Sequence, residues 1–277
     1  GHSATDPATY RTPEEVNLWR ERDCLGCYRS YLLEHGLMSE SDAQDTTEDV
    51  KEKIRRTFEK AIDPSISPYI DPARIGEVMF SNDSAPALRV GTPETSMPKE
   101  ENPRFRSVAA KSRFGLSPTG DPLPGGEVYT VRDALFEAIL HRFYEDPAFI
   151  AYGEENRDWG GAFGVYRGLT ESLPYHRLFN TPISEAAIIG SAVGYAMCGG
   201  RVLVELMYCD FIGRAGDEIF NQLAKWQSMS GGRLRLPVTV RVSVGNRYGA
   251  QHSQDWSSMI AHIPGIKVMF PATPYDA

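Results

Sequence analysis

Between residues 12 and 62 apolar side chains return at helical spacing. Thr12-Pro13-Glu14-Glu15 reads as a helix start: Thr12 caps, Pro13 suits the first helical position, and the acids favour the first turn. The pattern predicts one helix from Pro13 to about His35, closed by Gly36. A second helix is predicted from about Ser41 through Ile62, charged outside, with Val50, Ile54, Phe58 and Ile62 on one face. Residues 1–11 are polar and turn-rich and read as a loop. From 63 to 126 the periodicity is lost. Pro98-Lys99-Glu100-Glu101-Asn102-Pro103 and Pro122-Leu123-Pro124-Gly125-Gly126 punctuate a stretch expected to be a linker or a wrapping arm without elements of its own.

From Glu127 the pattern changes to strands spaced by helices. Helices are predicted over 131–144, 184–198, 211–229 and, shorter, 252–262. Short apolar strands are predicted over 149–152, 201–207, 237–242 and 266–270. This alternation implies an α/β fold: a doubly wound parallel sheet, preceded by a helical tail. Three parts follow, a tail at 1–62, a linker at 63–126 and an α/β domain at 127–277. In such sheets ligands bind outside the carboxyl ends of the strands. Glu154, Phe211 and the 243–255 loop all follow predicted strands.

The segment Asn180-Thr181-Pro182-Ile183-Ser184-Glu185 organises this half. Pro182 cannot donate a backbone hydrogen bond and biases Thr181 toward an extended shape. Ser184 is a good N-cap, which sets Glu185 in the first turn of an almost wholly apolar helix. A carboxylate is thereby held at the mouth of a buried helix, where it could simply complement the helix dipole.

Composition narrows the partners more than the fold. A net charge of −8 argues against nucleic acid or an anionic membrane surface. No apolar run approaches a membrane-spanning length and no signal-peptide pattern opens the chain, so a cytoplasmic location is expected. The start at Gly1 without an initiator Met, and the close at Pro274-Tyr275-Asp276-Ala277 in what reads as a further helix turn, suggest a piece of a longer chain. Cys198 and Cys209 lie in apolar segments and read as core residues. Cys24 and Cys27 form a C-x-x-C without a second pair, for which chance spacing is the simplest account. The sequon Asn82-Asp83-Ser84 is read as noise.

Thr181 to Glu185, followed by Gly190, Gly194 and Gly199, resembles the pyrimidine-binding domain of thiamine-diphosphate-dependent 2-oxoacid dehydrogenases, in the E1 beta subunit. Gly249-Ala250-Gln251-His252-Ser253-Gln254 resembles a later motif of the same family. Gly1 to Arg11, Trp19 and the run Arg29-Ser30-Tyr31-Leu32-Leu33 are similar to the tail of the E1 alpha subunit, so an alpha tail joined to a beta head is implied. The resemblance covers about residues 1–62 and 127–277.

The resemblance implies thiamine diphosphate as cofactor, with Glu185 activating its aminopyrimidine ring. It places Phe211 on the ring face, Ile183 and Met207 beside it, and Glu154 in a supporting role. His252 would donate to the substrate and His2 would face the cofactor from an active-site loop. Core packing explains Ile183 and Met207 nearly as well, and a terminal loop histidine explains His2. The family's Gly-Asp-Gly metal motif is absent; Gly120-Asp121-Pro122 does not match it, so no metal ligand is assigned here and the Mg²⁺ ligands are expected outside this sequence.

The reaction implied is oxidative decarboxylation of a 2-oxoacid with acyl transfer to the lipoyl group of an E2 acyltransferase. The partners implied are that acyltransferase, the rest of the E1 alpha-like region and further copies of the chain. The alternatives are a transketolase-like or deoxyxylulose-phosphate-synthase-like carbon–carbon transferase, and a non-catalytic assembly subunit. A Ser253–His252–Asp255 hydrolase is rejected, because neighbours on one loop cannot form that relay.

Overall fold

The computed structural model describes residues 9–67, 69, 71–80, 85, 90–245 and 247–277. His2 and the Asn82 sequon therefore lie outside the described residues. The chain divides into two compact units, Gly1–Tyr69 and Ile70–Ala277.

The first unit is helical: α1 (Pro13–Glu21), α2 (Cys24–Glu34) and α3 (Glu40–Ile62). The single helix expected from Pro13 to His35 is in fact two. Asp23 breaks it, because its carboxylate accepts from the Leu25 and Gly26 amides at 2.9 and 3.3 Å and so starts a new helix. Gly36 (φ 64°) closes α2 as expected, with its own amide on the Leu33 carbonyl and the Leu37 amide on that of Leu32. Ser39 and Asp42 form a reciprocal capping box at the start of α3. Val50, Ile54, Phe58 and Ile62 share a face of α3 and remain exposed within this unit.

The second unit carries α4 (Ile75–Met79), α5 (Pro103–Ala109), α6 (Val131–Glu145), β1 (Phe149–Gly153), β2 (Leu178–Asn180), α7 (Glu185–Met197), β3 (Arg201–Leu206), α8 (Ala224–Met229), β4 (Val238–Val242) and α9 (Ser257–Ala261). The sheet is 4-stranded with order β2-β1-β3-β4, and every pair is parallel. Successive strand residues point to opposite faces, and here both faces are covered. Phe149, Ala151 and Leu203 pack with Phe136, Leu140 and Phe143 of α6 and with Val108 of α5. Tyr152, Val202, Val204 and Leu206 pack on the other side with Ile188, Ile189 and Val193 of α7 and with Ile212 and Ile219. This is the doubly wound arrangement.

Several boundaries differ from the sequence reading. The stretch 63–126, expected to hold no elements, contains α4 and α5 and binds the domain closely. Asn102 is fully buried, donating to the Gly168 carbonyl at 2.6 Å and the Ser172 hydroxyl at 2.8 Å while capping α5. Arg104 donates to the carbonyls of Gly164 and Val165 at 2.9 and 3.0 Å, so this arm fixes the loop that follows β1. The helix expected over 211–229 is a 3-10 segment at Cys209–Ala215, a π segment at Glu218–Leu223 and then α8. Gly213 and Gly216 weaken a continuous α-helix there. The helix expected over 252–262 is shorter, since Asp255 accepts from the Ser257 amide at 2.9 Å and starts α9 late. Residues 266–270 form no strand: Val268, Met269 and Phe270 are exposed and pair with no neighbouring strand among the described residues. β2, by contrast, is a strand where only an extended segment was expected.

Candidate functional site

Each strand ends on the same edge of the sheet and delivers a polar group there. β1 ends at Gly153, where a side chain would not fit: a Cβ would lie 2.8 Å from Asn156 Oδ1 and 2.9 Å from the Glu205 carbonyl oxygen. Glu154 follows directly. Its Oε1 is buried with no protein partner among the described residues. Burial first, then the carboxylates of Glu185 and Glu155, push its pKa up to about 6.

β2 runs alongside β1, and the Thr181 amide donates to the Gly153 carbonyl at 2.8 Å. This bond sets the turn that leads to α7. Glu185 opens that helix and is 8% exposed, so it lies deeper than a dipole-complementing surface acid would. Ser184 occupies the capping position, but its hydroxyl donates to the Pro182 carbonyl at 3.0 Å and makes no cap bond. Glu185 and Glu154, 31 positions apart in the chain, thus become electrostatic neighbours at one end of the sheet.

The other half of the edge comes from β3 and β4. The Cys209 amide donates to the Ser243 carbonyl at 2.9 Å and joins the segments that leave the two strands. Around His252 three rings meet the imidazole edge to face: Tyr208 at 5.2 Å, Phe211 at 5.4 Å and Tyr248 at 5.9 Å. His252 Nδ1 is buried without a protein partner among the described residues, as are Thr181 Oγ1, Asp210 Oδ2 and Ser243 Oγ.

The expected site residues thus fall into two clusters along one edge, Glu154 with Glu185, and Phe211 with His252. Met207 is half-buried between β3 and the aromatic group. Ile183 is 78% exposed, which removes core packing as its explanation. The hydrolase relay is absent in the geometry as well: Ser253 donates to the Gly249 carbonyl at 2.6 Å, and Asp255 accepts from the Ser257 amide at 2.9 Å. Among the described residues no group of three or more His, Cys, Asp or Glu side chains could hold a metal ion.

The sequence reading gave no site role to Tyr208 or Asp210, nor to Thr181 within the Glu185 motif or Ser243 at the start of the 243–255 loop. The signal that could have found them is position, because Thr181 and Ser243 come directly after strands and Tyr208 and Asp210 shortly after.

Beneath this edge lies a buried ion pair. Glu205 and Arg241 are register partners on β3 and β4, and they form a hydrogen-bonded ion pair with Glu205 fully buried. Glu205 Oε1 also accepts from the Ala162 amide at 2.6 Å, and Arg241 donates to the Ala162 carbonyl at 2.9 Å. The pair thereby ties the loop after Glu154 to the sheet. Burial pushes the hydroxyl pKa of neighbouring Tyr166 up to about 12, so it stays neutral.

Comparison with known proteins gives this geometry a family. Residues 127–277, more than half of the chain, match the family described as "Transketolase, pyrimidine binding domain". The chain belongs to that family. Residues 1–68 match a second family, "Dehydrogenase E1 component", so one chain joins an E1-dehydrogenase segment to a transketolase-type pyrimidine-binding domain. Among curated relatives, the beta subunit of acetoin:2,6-dichlorophenolindophenol oxidoreductase from Cupriavidus necator is 43% identical over 159 residues, 53% of this chain and 47% of that one. The corresponding Bacillus subtilis subunit is 38% identical, over 54% of this chain and 48% of its own length. The mitochondrial pyruvate dehydrogenase E1 component subunit beta-1 of Arabidopsis thaliana is 37% identical, over 62% and 48% respectively. The chain therefore spans about half the length of the curated relatives it matches. Among solved structures, a "Split gene transketolase, inactive beta4 tetramer" aligns with a TM-score of 0.31 at 22% identity, over 45% of this chain and 36% of that one, too slight a likeness to support a conclusion.

Among the described residues no helix is long and apolar enough to cross a membrane.

Proposed function

We infer that this chain works within the E1 component of a thiamine-diphosphate-dependent 2-oxoacid dehydrogenase, decarboxylating a 2-oxoacid and passing the acyl group to the lipoyl group of an E2 acyltransferase. The observation that carries the reading is the pairing of Glu154 and Glu185 at the carboxyl edge of a parallel sheet, with the Glu154 pKa raised to about 6. The buried Glu185 carboxyl at the mouth of α7 is the group that would meet an aminopyrimidine ring nitrogen, with Glu154 as its neighbouring acid.

The residues at this edge fit the cofactor by their chemistry. Buried polar atoms without protein partners among the described residues line it, and an exposed Ile183 and a half-buried Phe211 and Met207 offer apolar surface for a flat ring. When bound, thiamine diphosphate supplies the electron sink that decarboxylation needs. Glu185 would hold and pass the proton at the pyrimidine ring nitrogen. Glu154 would support it, because its raised pKa lets it take up a proton as the pH falls toward about 6, which relieves repulsion between the two carboxyls. His252 would donate to the substrate from its aromatic setting, and His2 would face the cofactor from its loop. Mg²⁺ would be held by residues outside this sequence. The remaining E1 alpha-like region, the acyltransferase and further copies of the chain are the proposed partners, in the cytoplasm.

The proposed acyl donor is a 2-oxoacid, pyruvate or a branched-chain oxoacid; the alternative is the hydroxyketone acetoin, which would be cleaved at a carbon–carbon bond without loss of CO2, and the 43% identity to one acetoin oxidoreductase subunit supports testing it beside pyruvate. The deciding experiment is Glu185→Gln in the full-length protein, with lipoyl reduction followed for both donors. Activity should fall by about two to four orders of magnitude with folding retained. Unchanged activity would favour the assembly-subunit reading, and ketol transfer between sugars would favour the transketolase-like one.

A further inference from the structure

The segment that leaves β3 does two jobs with consecutive residues. Tyr208 and Phe211 set their rings against the imidazole of His252. Cys209 and Asp210, between them, hold the backbone of the loop that carries it. The Trp256 amide donates to Cys209 Sγ at 3.3 Å. Asp210 Oδ1 accepts twice from one residue, from the Gln254 amide at 3.3 Å and from Gln254 Nε2 at 3.1 Å. Gln254 Oε1 in turn accepts from the Trp256 indole at 3.1 Å.

The 249–256 loop has few other anchors. Tyr248, Gly249, Ala250 and Gln251 are exposed, and Gly245 and Gly249 adopt left-handed conformations. Ser253 donates within the loop, to the Gly249 carbonyl at 2.6 Å. Asp210 is thus the charged anchor between a mobile-type sequence and the rigid end of a central strand. Its position next to Phe211 in the chain fixes the anchor and the aromatic wall as one unit.

We propose that Asp210, acting through Gln254, is the positioning residue of His252. Its carboxylate clamps the loop two residues beyond the histidine, so the imidazole stays between the rings of Tyr208 and Phe211. Asp210 does not act on the substrate. The positioning rests on the geometry alone, whereas its consequence for turnover rests on the function proposed above.

The test measures the imidazole directly. The full-length protein is treated with diethyl pyrocarbonate, and carbethoxylation of each histidine is timed by peptide mass spectrometry. Exposed His141 and His176 serve as internal standards. Loss of two charge-assisted hydrogen bonds in Asp210→Ala should speed labelling of His252 about tenfold or more, with the standards unchanged. Asp210→Asn, which keeps an acceptor oxygen, should stay within about threefold of the parent protein. Gln254→Ala, at an exposed position that does not threaten folding, should give a smaller rise in the same direction. Unchanged labelling of His252 in the Ala variants, or equal acceleration in the Asn variant, overturns the proposal. In the lipoyl-reduction assay kcat should fall in Asp210→Ala, with KM for the lipoyl acceptor nearly constant and recovery in Asp210→Asn. If His252 labelling responds as expected while the parent protein shows no such activity, the positioning stands and the proposed function falls.

Discussion

Two populations of buried polar side chains sit within a few residues of each other in the α/β domain, and they differ in one respect. Glu205, Asn102 and Asp133 are nearly saturated with hydrogen bonds. Glu205 is held by Arg241 and the Ala162 amide. Asn102 donates to the Gly168 carbonyl and the Ser172 hydroxyl and accepts from the Phe105 amide. Asp133 accepts from Thr130 and Lys111. Glu154, Thr181, Asp210, Ser243 and His252, all at the carboxyl edge of the sheet, each keep a buried polar atom that no protein group satisfies among the described residues. Burying a polar atom unpaired is costly, so a fold tolerates it mainly where something else is to be bound. The first population holds the sheet and its loops together. The second is what that rigidity presents to a ligand.

If that division is right, substitutions in the two populations should have opposite effects on stability. The largest loss should come from Arg241→Met, which strands the fully buried Glu205 carboxylate and should cost about 3–5 kcal/mol in denaturant unfolding. The double variant Glu205→Leu/Arg241→Met should recover most of that loss, since the isolated charge is then gone. Thr130→Ala removes one side of a capping box and should cost about 1 kcal/mol.

In the second population the sign reverses. The Glu154 pKa of about 6 stands above its ordinary value of 4.5. Its contribution to stability is therefore whole below pH 4.5 and fades as the pH climbs through about 6. Glu154→Gln, neutral throughout, should gain on the parent protein across that window by about 1 kcal/mol at pH 7, allowing for solvent screening. Thermal unfolding from pH 4 to 8 checks it; a difference that does not change with pH would break the comparison. The smallest effect on stability belongs to Glu185→Gln, within about 0.5 kcal/mol at neutral pH, even as activity collapses. A loss as large as that of Arg241→Met would move Glu185 into the structural population.

The two populations were unequally legible. Glu185 and His252 could be found because each sits in a run that resembles a family motif, Thr181 to Glu185 with the glycines after it and Gly249 to Gln254; local pattern alone left Glu185 as a helix-start acid. Glu205 reads in the sequence as one acid inside an apolar strand, and Arg241 as one base inside another. Nothing local says that they meet. The Asp23 break between α1 and α2 was visible in principle, because an Asp that can cap two amides competes with helix continuation, but the apolar period on either side masked it.

By itself the sequence determined the caps, the helical or extended character of most segments, and the order of strands and helices that makes a parallel sheet, since these depend on neighbours a few residues apart. It also carried the motif that marks the edge where a ligand would sit. Tertiary structure alone decided which strand residues face each other, that the 94–109 arm clamps the loop after β1, that 266–270 forms no strand, and that two carboxyls distant in sequence share one end of the sheet. Strand register and packing are set by partners far along the chain, and burial, the source of both the Glu154 shift and the unpaired atoms, exists only once those partners have come together.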